Sequence, residues 1–235
     1  MIAIFKREMR SYFTSAIGYV FIAVFLAVSG FVFSLTTLQA GIDSDVASYF
    51  TMMLFAFIVV IPLLTMRMFS EERRSRTEQL LLTSPVSLFG MVFGKFLAAY
   101  TMFACTYLAS CLNFYALYKF GTPNTAQLFG YSIAILLIGA AFVSVGIFIS
   151  SLTENQIIAA IGTIAVILIF LLAGFLNQYI DVYAIRAVLD WISVYSRFGN
   201  FTFGVFDFNA VLYYFSISGV FMFLTVRIYE KRRWE

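Results

Sequence analysis

The sequence predicts an all-α integral membrane protein whose six spans form a single transmembrane domain over residues 1–235. Composition supports this, because 62% of the residues are hydrophobic and only 11% are charged, whereas an ordinary soluble domain has about 25% charged residues. Six uncharged runs each exceed the roughly 18 residues that a membrane-spanning helix requires. Lys and Arg are also distributed very unevenly between the segments that join these runs.

The spans follow from the uncharged runs, in chain order. We predict them at about 17–38, 48–67, 94–118, 128–151, 156–176 and 209–229. An even number of spans places both termini on the same side of the membrane.

The orientation is predicted from the basic residues. Twelve of the 15 Lys and Arg lie on the side of the termini, and only Lys119, Arg186 and Arg197 lie on the other. Because cytoplasmic loops carry an excess of Lys and Arg, we predict that both termini are inside (N-in, C-in). The net charge of +3 then reflects sidedness, and we expect no nucleic-acid partner.

The N-terminal segment before the first span has the pattern of an interfacial helix. Phe5, Met9 and Phe13 recur at i, i+4 and i+8, with basic residues on the other faces, which suits a helix lying in the headgroup region. The alternative is an ordinary positively charged flank. No cleavage site follows the apolar stretch, so we do not interpret it as a signal peptide.

A charged insert separates the second and third spans. The segment 71–78 reads EERRSRTE and holds six of the 27 charged residues. Glu72 and Arg76 are spaced i, i+4, which favours a helix, and we expect that helix to continue to Pro85. Such a helix can present charge to a soluble partner, but a solvated loop that only fixes topology is an equal alternative.

The segment 177–207 before the last span is too long for a simple turn. It contains apolar residues at helical spacing and an i, i+4 pair of opposite charge, which predicts an amphipathic or re-entrant helical pair. This pair is either an outer gate or an interfacial cap anchored by aromatic residues. The candidate gate residues are Ile185, Arg186, Leu189, Asp190 and Arg197.

Several residue types needed for catalysis are missing. The sequence has no His, no P-loop motif for ATP, and no charged residue near the centre of a predicted span, where proton- or ion-coupled transporters usually keep one. Cys105 and Cys111 have no metal-site or disulfide spacing. We therefore predict a non-catalytic membrane protein that binds no cofactor directly and takes its energy from elsewhere.

Five stretches of the sequence resemble the ABC type-2 permease family, and within it the gliding-motility-type subunits. They are KREMRSYFTS at 6–15, PLLTMR at 62–67, EERRSRTEQLLLTSPV at 71–86, GK at 94–95 and RFGNFTFGVFD at 197–207. One departure is Arg76, which stands where many relatives have Gly, and we expect Arg76 to keep the helix intact.

The resemblance implies a permease subunit of an ATP-binding-cassette transporter, usually an exporter, in the bacterial cytoplasmic membrane. Its expected partners are soluble P-loop ATPase subunits that bind ATP-Mg, a second permease subunit (a copy or a related chain), membrane lipids and an extracytoplasmic accessory protein. The ATPase-coupling residues carried over are Glu71, Glu72, Arg73, Arg74, Arg76, Thr77, Glu78, Leu81, Leu82 and Pro85, with Glu154 in the loop between spans four and five.

The sequence is also compatible with a second function and with a second role for Glu154. The alternative function is a non-transporting anchor or mechanotransmission subunit of an ATPase-driven complex, and Glu154 is equally interpretable as a residue that only solubilises its loop. The family suggests that two copies meet along spans one, two and five. Small residues there would permit close packing: Gly18, Ser29, Gly30, Ser34, Gly162 and Gly174.

Overall fold

A computed structural model describes residues 1–38, 46–79, 87–120, 123–176, 183–199, 201 and 207–234. All regular secondary structure in these ranges is helical. The helices are α1 (Ile2–Thr14), α2 (Ala16–Phe33, continued by a π-helical turn at Ser34–Leu38), α3 (Ala47–Thr65), α4 (Ser70–Arg74), α5 (Leu88–Ser110), α6 (Asn113–Phe120), α7 (Thr125–Leu152), α8 (Gln156–Leu176), α9 (Tyr183–Ile192), α10 (Val194–Phe198) and α11 (Phe208–Trp234).

Six helical segments in the described residues are long and apolar enough to cross a membrane, with mean hydropathies from 1.6 to 2.8. This confirms the all-α fold class with six candidate spans. The third span differs most from its prediction, since its helix begins at Leu88. Ser87 caps this helix by accepting a hydrogen bond from Gly90 N–H at 3.2 Å. Ser is one of the residue types preferred at the N-cap position.

Helix α7 lies at the centre of the bundle and packs against α3, α5, α8 and α11. Small residues on α7 allow α3 and α5 to pack close to it. A Cβ added at Gly146 would lie 2.2 Å from Thr65 Oγ1 of α3, and one at Gly139 would lie 2.1 Å from the Phe103 ring of α5. These two glycines therefore set the distances between the core helices.

Both termini lie at one end of the bundle. Arg7 of α1 contacts Glu72, and Arg232 of α11 contacts Glu78, so the N-terminal helix, the segment 66–79 and the end of α11 meet there. We call this end the ionic end. Helices α9 and α10 lie at the opposite end and pack against α8.

Most of the small residues expected between two copies serve packing within the chain. A Cβ at Gly18 would lie 2.2 Å from the Tyr12 carbonyl oxygen, and Ser29 is fully buried with its hydroxyl 2.9 Å from that of Tyr49. A Cβ at Gly174 would approach Ser193. Gly30, in contrast, has no atom within 4 Å of such a Cβ.

Candidate functional site at the ionic end

Helix α1 anchors one side of the ionic end. The residues it buries are Ile4 and Tyr12, with the Glu8 side chain between them only 13% exposed. The predicted apolar stripe lies beside this inward face: Phe5 and Met9 are half-buried and Phe13 is 49% exposed. Glu8 turns inward and meets a cation that lies 87 residues further along the chain.

That cation is Lys95, whose side chain is 1% exposed. Its Nζ lies 3.0 Å from Glu8 Oε1 and 3.0 Å from Glu72 Oε1. It also donates a 2.7 Å hydrogen bond to the Met68 carbonyl and lies 4.9 Å from the centre of the Phe69 ring. A buried ammonium group is stable only with such partners, so Lys95 holds these groups together.

Arg7 completes a four-residue cluster. Its Nη2 lies 2.6 Å from Glu8 Oε1 and 2.5 Å from Glu72 Oε1. Burial alone would raise the pKa of Glu8, but Lys95 and Arg7 outweigh it, so the pKa lies below its ordinary value of 4.5. The cluster of Arg7, Glu8, Glu72 and Lys95, which we call the inner cluster, ties α1, α4 and α5 together.

A second set of contacts joins the charged segment to the end of α7. The last carbonyls of a helix have no partner within it, and two arginines supply hydrogen bonds here. Arg73 donates to the Leu152 carbonyl at 2.9 Å, and Arg232 donates to the Ser151 carbonyl at 2.7 Å. The same arginines pair with acids, Arg73 with Glu154 at 2.9 Å and Arg232 with Glu78 at 3.2 Å.

Ser150 fastens the start of α4 to α7. Its Oγ accepts hydrogen bonds from the N–H groups of Phe69 at 3.1 Å and Ser70 at 3.2 Å, and it donates to the Met66 carbonyl at 3.0 Å. The first N–H groups of α4, which no helix satisfies internally, are thus capped from another helix. The Phe69 ring packs against Tyr229 of α11, with centroids 4.7 Å apart.

The charged segment is not one continuous helix. Helix α4 ends at Arg74, and Arg76 has a φ of 58°, the left-handed conformation that interrupts a helix and that favours Gly. The expectation that Arg76 keeps the helix intact is therefore wrong. Glu72 pairs with Arg7 and Lys95, so the predicted i, i+4 contact with Arg76 is replaced.

The turn leaves a compact exposed surface. Its four members, Arg74, Ser75, Arg76 and Thr77, are all exposed, and we call them the exposed tip. Within the described residues, neither Arg74 nor Arg76 forms an ion pair. The remaining predicted coupling residues Leu81, Leu82 and Pro85 lie outside the described residues.

The sequence also predicted a helical pair before the last span, and the structure has one in α9 and α10. Arg197 donates to the carbonyls of Asp190, Trp191 and Ser193 at 3.0–3.1 Å, and its guanidinium carbon lies 3.8 Å from the centre of the Tyr213 ring. Arg197 therefore fastens the end of α9 to α11.

The other gate candidates lie along α9. Arg186 and Asp190 are exposed and Leu189 is partly buried. The Ile185 side chain lies outside the described residues. The exposed apolar residues Val188 and Trp191, the latter 72% exposed, give this helix an outward apolar face.

The inner cluster was missed by sequence reasoning. Glu8, Glu72 and Lys95 lie in three separate segments of the sequence. No local sequence pattern therefore shows that the two acids contact Lys95. A usable signal existed in Lys95 itself, since a lone Lys inside a helix flanked by apolar residues must find acidic partners if it is buried.

These features define a polytopic helical membrane protein with an ion-paired, partly exposed charged segment at one end. Comparison with family models identifies it further. The model of the ABC-2 family transporter protein matches residues 2–188, more than half of the chain, and the chain belongs to that family. None of the curated proteins compared with the chain matches it significantly.

Membership in the ABC-2 transporter family indicates the general role of the chain. The family consists of membrane components that are generally non-catalytic, and it implies association with ATP-binding subunits and a partner permease. With its six spans, the chain is a multi-pass membrane protein.

Proposed function

We propose that this protein is the transmembrane permease subunit of an ABC type-2 exporter of the gliding-motility type. In the proposal, it forms a translocation pathway with a second permease subunit, a copy or a related chain, in the bacterial cytoplasmic membrane. Both termini and the exposed tip face the cytoplasm, where soluble P-loop ATPase subunits bind ATP-Mg. The excess of Lys and Arg at the ionic end supports this orientation.

One observation carries the coupling proposal: the exposed tip is held on both sides by ion pairs to other helices and loops of the membrane domain. Before the tip, Glu72 pairs with Arg7 and Lys95 and Arg73 pairs with Glu154. After it, Glu78 pairs with Arg232. A displacement of the tip is therefore passed to α1, α5, α7 and α11 together.

The roles of the predicted coupling residues divide accordingly. Arg74, Arg76 and Thr77 contact the ATPase, because they are exposed. Glu72, Arg73, Glu78 and Glu154 transmit its movement, because their partners lie in the membrane domain. Glu71 supports the segment through its 2.5 Å ion pair with Arg67.

Transport requires that the ATPase contact the tip differently in its two nucleotide states, since a partner can shift an equilibrium only by its differential affinity. The membrane domain responds at the opposite end. We assign α9 and α10 as the outer gate, with Arg186, Leu189 and Asp190 on the moving helix and Arg197 as its anchor to α11.

The test is a charge reversal at the tip. Arg74→Glu and Arg76→Glu together should abolish co-purification of the ATPase subunit, because they reverse the exposed charges that contact it. Neither arginine forms an ion pair within the described part of the chain, so the fold should be preserved. The matched control is Lys6→Glu with Arg10→Glu, an equal charge change on the exposed side of α1 that should leave co-purification unchanged.

Two measurements make the outcome decisive. Size-exclusion chromatography must show that the tip variant remains folded, and quantitative mass spectrometry must measure the ATPase bound per chain. Equal ATPase in the tip variant and in the control would refute coupling through the tip. Reversal of Glu72 or Glu78 would be a poor test, because it would break ion pairs inside the chain.

A further inference from the structure

An apolar groove runs between α5 and α11 in the half of the bundle next to the ionic end. Phe89, Phe93 and Phe96 form one wall, and Gly219, Phe223 and Val226 form the other. Its volume is about 330 Å³. It shares Phe89 and Val226 with a second cavity of about 660 Å³ that is also lined by Arg233. The apolar groove is therefore adjacent to a cavity lined by a cationic side chain.

The groove is open at the surface of the bundle and has room for a ligand. The exposed fractions are 60% for Phe89 and 56% for Phe223. Phe89 stacks on Phe93 with centroids 5.7 Å apart and planes at 11°, which gives a smooth aromatic wall. A Cβ at Gly219 would meet no atom within 4 Å, so the opposite wall is recessed at that point.

The length of the groove matches one leaflet. Its α11 wall extends from Phe215 to Val226, a rise of roughly 16 Å at 1.5 Å per residue. Half of a hydrocarbon core of about 30 Å is about 15 Å. The apolar part of the groove can therefore receive a lipid acyl chain along its full depth in the leaflet.

The charge at the open end suits a phosphate. The C-terminal end of α11 carries Arg227, Lys231, Arg232 and Arg233. Arg227 pairs with Glu230 at 2.6 Å and Arg232 pairs with Glu78 at 3.2 Å, whereas Arg233 lines the second cavity next to the neutralised Glu230. Helical side chains lean toward the N-terminus of their helix, which directs Arg233 back toward the groove. A basic cluster next to a membrane span attracts anionic lipids.

We propose that the groove binds one anionic phospholipid, with an acyl chain between α5 and α11 and its phosphate at Arg233. The lipid would fill the space between the third and sixth spans in the leaflet next to the ionic end. The proposal does not depend on ATPase coupling, so its test uses the purified full chain alone.

The first experiment blocks the groove. Native mass spectrometry would count the phosphatidylglycerol molecules retained per chain after detergent exchange, for the wild type and for Gly219→Leu. We expect the wild type to keep one molecule and Gly219→Leu to lose most of it. Gly30→Leu is the control, because Gly30 is also helical with open space around its Cβ position, and it should retain the lipid.

The second experiment tests the headgroup contact. Arg233→Gln should weaken phosphatidylglycerol binding about fivefold, the effect expected for one surface cation, and should weaken phosphatidylethanolamine binding less, because the ammonium group of that lipid offsets the charge of its phosphate. Arg10→Gln removes an exposed charge from α1 and should change neither.

Three outcomes would overturn the proposal. One is equal lipid retention in Gly219→Leu and Gly30→Leu. Another is a wild-type chain without retained lipid, as expected if another segment of the chain covers the groove. The third is a change of oligomeric mass in Gly219→Leu, which would assign the groove to a second copy.

Discussion

At the scale of single residues, the backbone conformation of Arg76 interrupts a helix that the sequence predicted to be continuous. Its φ of 58° interrupts the helical path of the charged segment, and Glu72 and Glu78 on its two sides have different partners. A non-glycine residue in this conformation costs about 1–2 kcal/mol. Gly at this position, which the resemblance attributes to many relatives, avoids that cost.

We predict that Arg76→Gly does not destabilise the protein and raises its stability by up to about 1 kcal/mol. The relief of the left-handed conformation is partly offset by the greater freedom of Gly in the unfolded chain. Arg74→Gly is the control, because Arg74 lies in α4 and Gly there should cost about 1 kcal/mol.

Chemical unfolding in detergent, followed by tryptophan fluorescence, measures both variants. A loss of stability in Arg76→Gly as large as that in Arg74→Gly would contradict a strained turn at this position.

Glu8 is the residue that makes the inner cluster sensitive to pH. Its pKa is lowered in the folded protein from an ordinary value of 4.5, so its ion pairs stabilise the fold fully above that value. The contribution is lost as the pH falls through the lower folded pKa. We therefore predict that α1 loosens below about pH 4.5.

Hydrogen exchange of the α1 amides, measured between pH 3 and pH 6 and corrected for intrinsic rates, checks this prediction. Glu8→Gln should remove most of the pH dependence, whereas Arg10→Gln should preserve it. An unchanged pH dependence in Glu8→Gln would show that another group controls α1.

At the scale of elements, α4 depends on its neighbours. Five residues are far too few for a helix to be stable alone. Its N-terminal N–H groups bond to Ser150, and its side chains pair with α1, α5 and the loop after α7. The exposed tip is therefore positioned by tertiary contacts rather than by its own helical propensity.

We predict that Ser150→Ala destabilises the protein by about 1–3 kcal/mol, because it leaves buried N–H groups of the α4 start without a partner. Ser144→Ala is the matched control. Ser144 is equally buried on α7, but within the part of the chain that the structure describes its hydroxyl donates to the Ala141 carbonyl of the same helix and caps no other element, so a smaller effect is expected.

Thermal unfolding of both variants in detergent gives the comparison. Similar melting temperatures for Ser150→Ala and Ser144→Ala would contradict a specific role of Ser150 in holding α4.

At the scale of the whole molecule, the ionic end gathers segments that are far apart in the chain. Arg7 lies near the N-terminus and Arg232 near the C-terminus, yet both pair with the charged segment between the second and third spans. Because α11 packs against α7 and α5, movement at the ionic end has a continuous packed route into the bundle. This arrangement supports the proposed coupling to an ATPase.

Much of the fold was predictable because the membrane imposes a simple rule. Backbone groups in hydrocarbon must be satisfied internally, which requires helices, and long uncharged runs show where the helices lie. The six candidate spans were predicted in this way, and the helical pair before the last span was predicted from the helical spacing of its apolar residues. The start of α5 at Leu88 was missed, because a Ser cap outside the apolar run determined it.

Less of the candidate site was predictable. The charged segment was correctly singled out from its composition, but its break at Arg76 and its ion-pair partners were not. Among those partners, Arg7 lies 65 residues from Glu72 and Arg232 lies 154 residues from Glu78, and charge alone does not show which of many acids and bases will meet.

The sequence by itself determined the class of protein, the number of candidate spans and the position of the charged segment. These features depend on local composition, because the hydrocarbon core of a membrane accepts apolar residues and excludes charged ones. Only the tertiary structure decided which charges are buried and paired and which are exposed. It placed Lys95 between Glu8 and Glu72, and it left Arg74 and Arg76 at the surface. The physical reason is that ion pairing depends on the packing of distant helices, which composition does not encode.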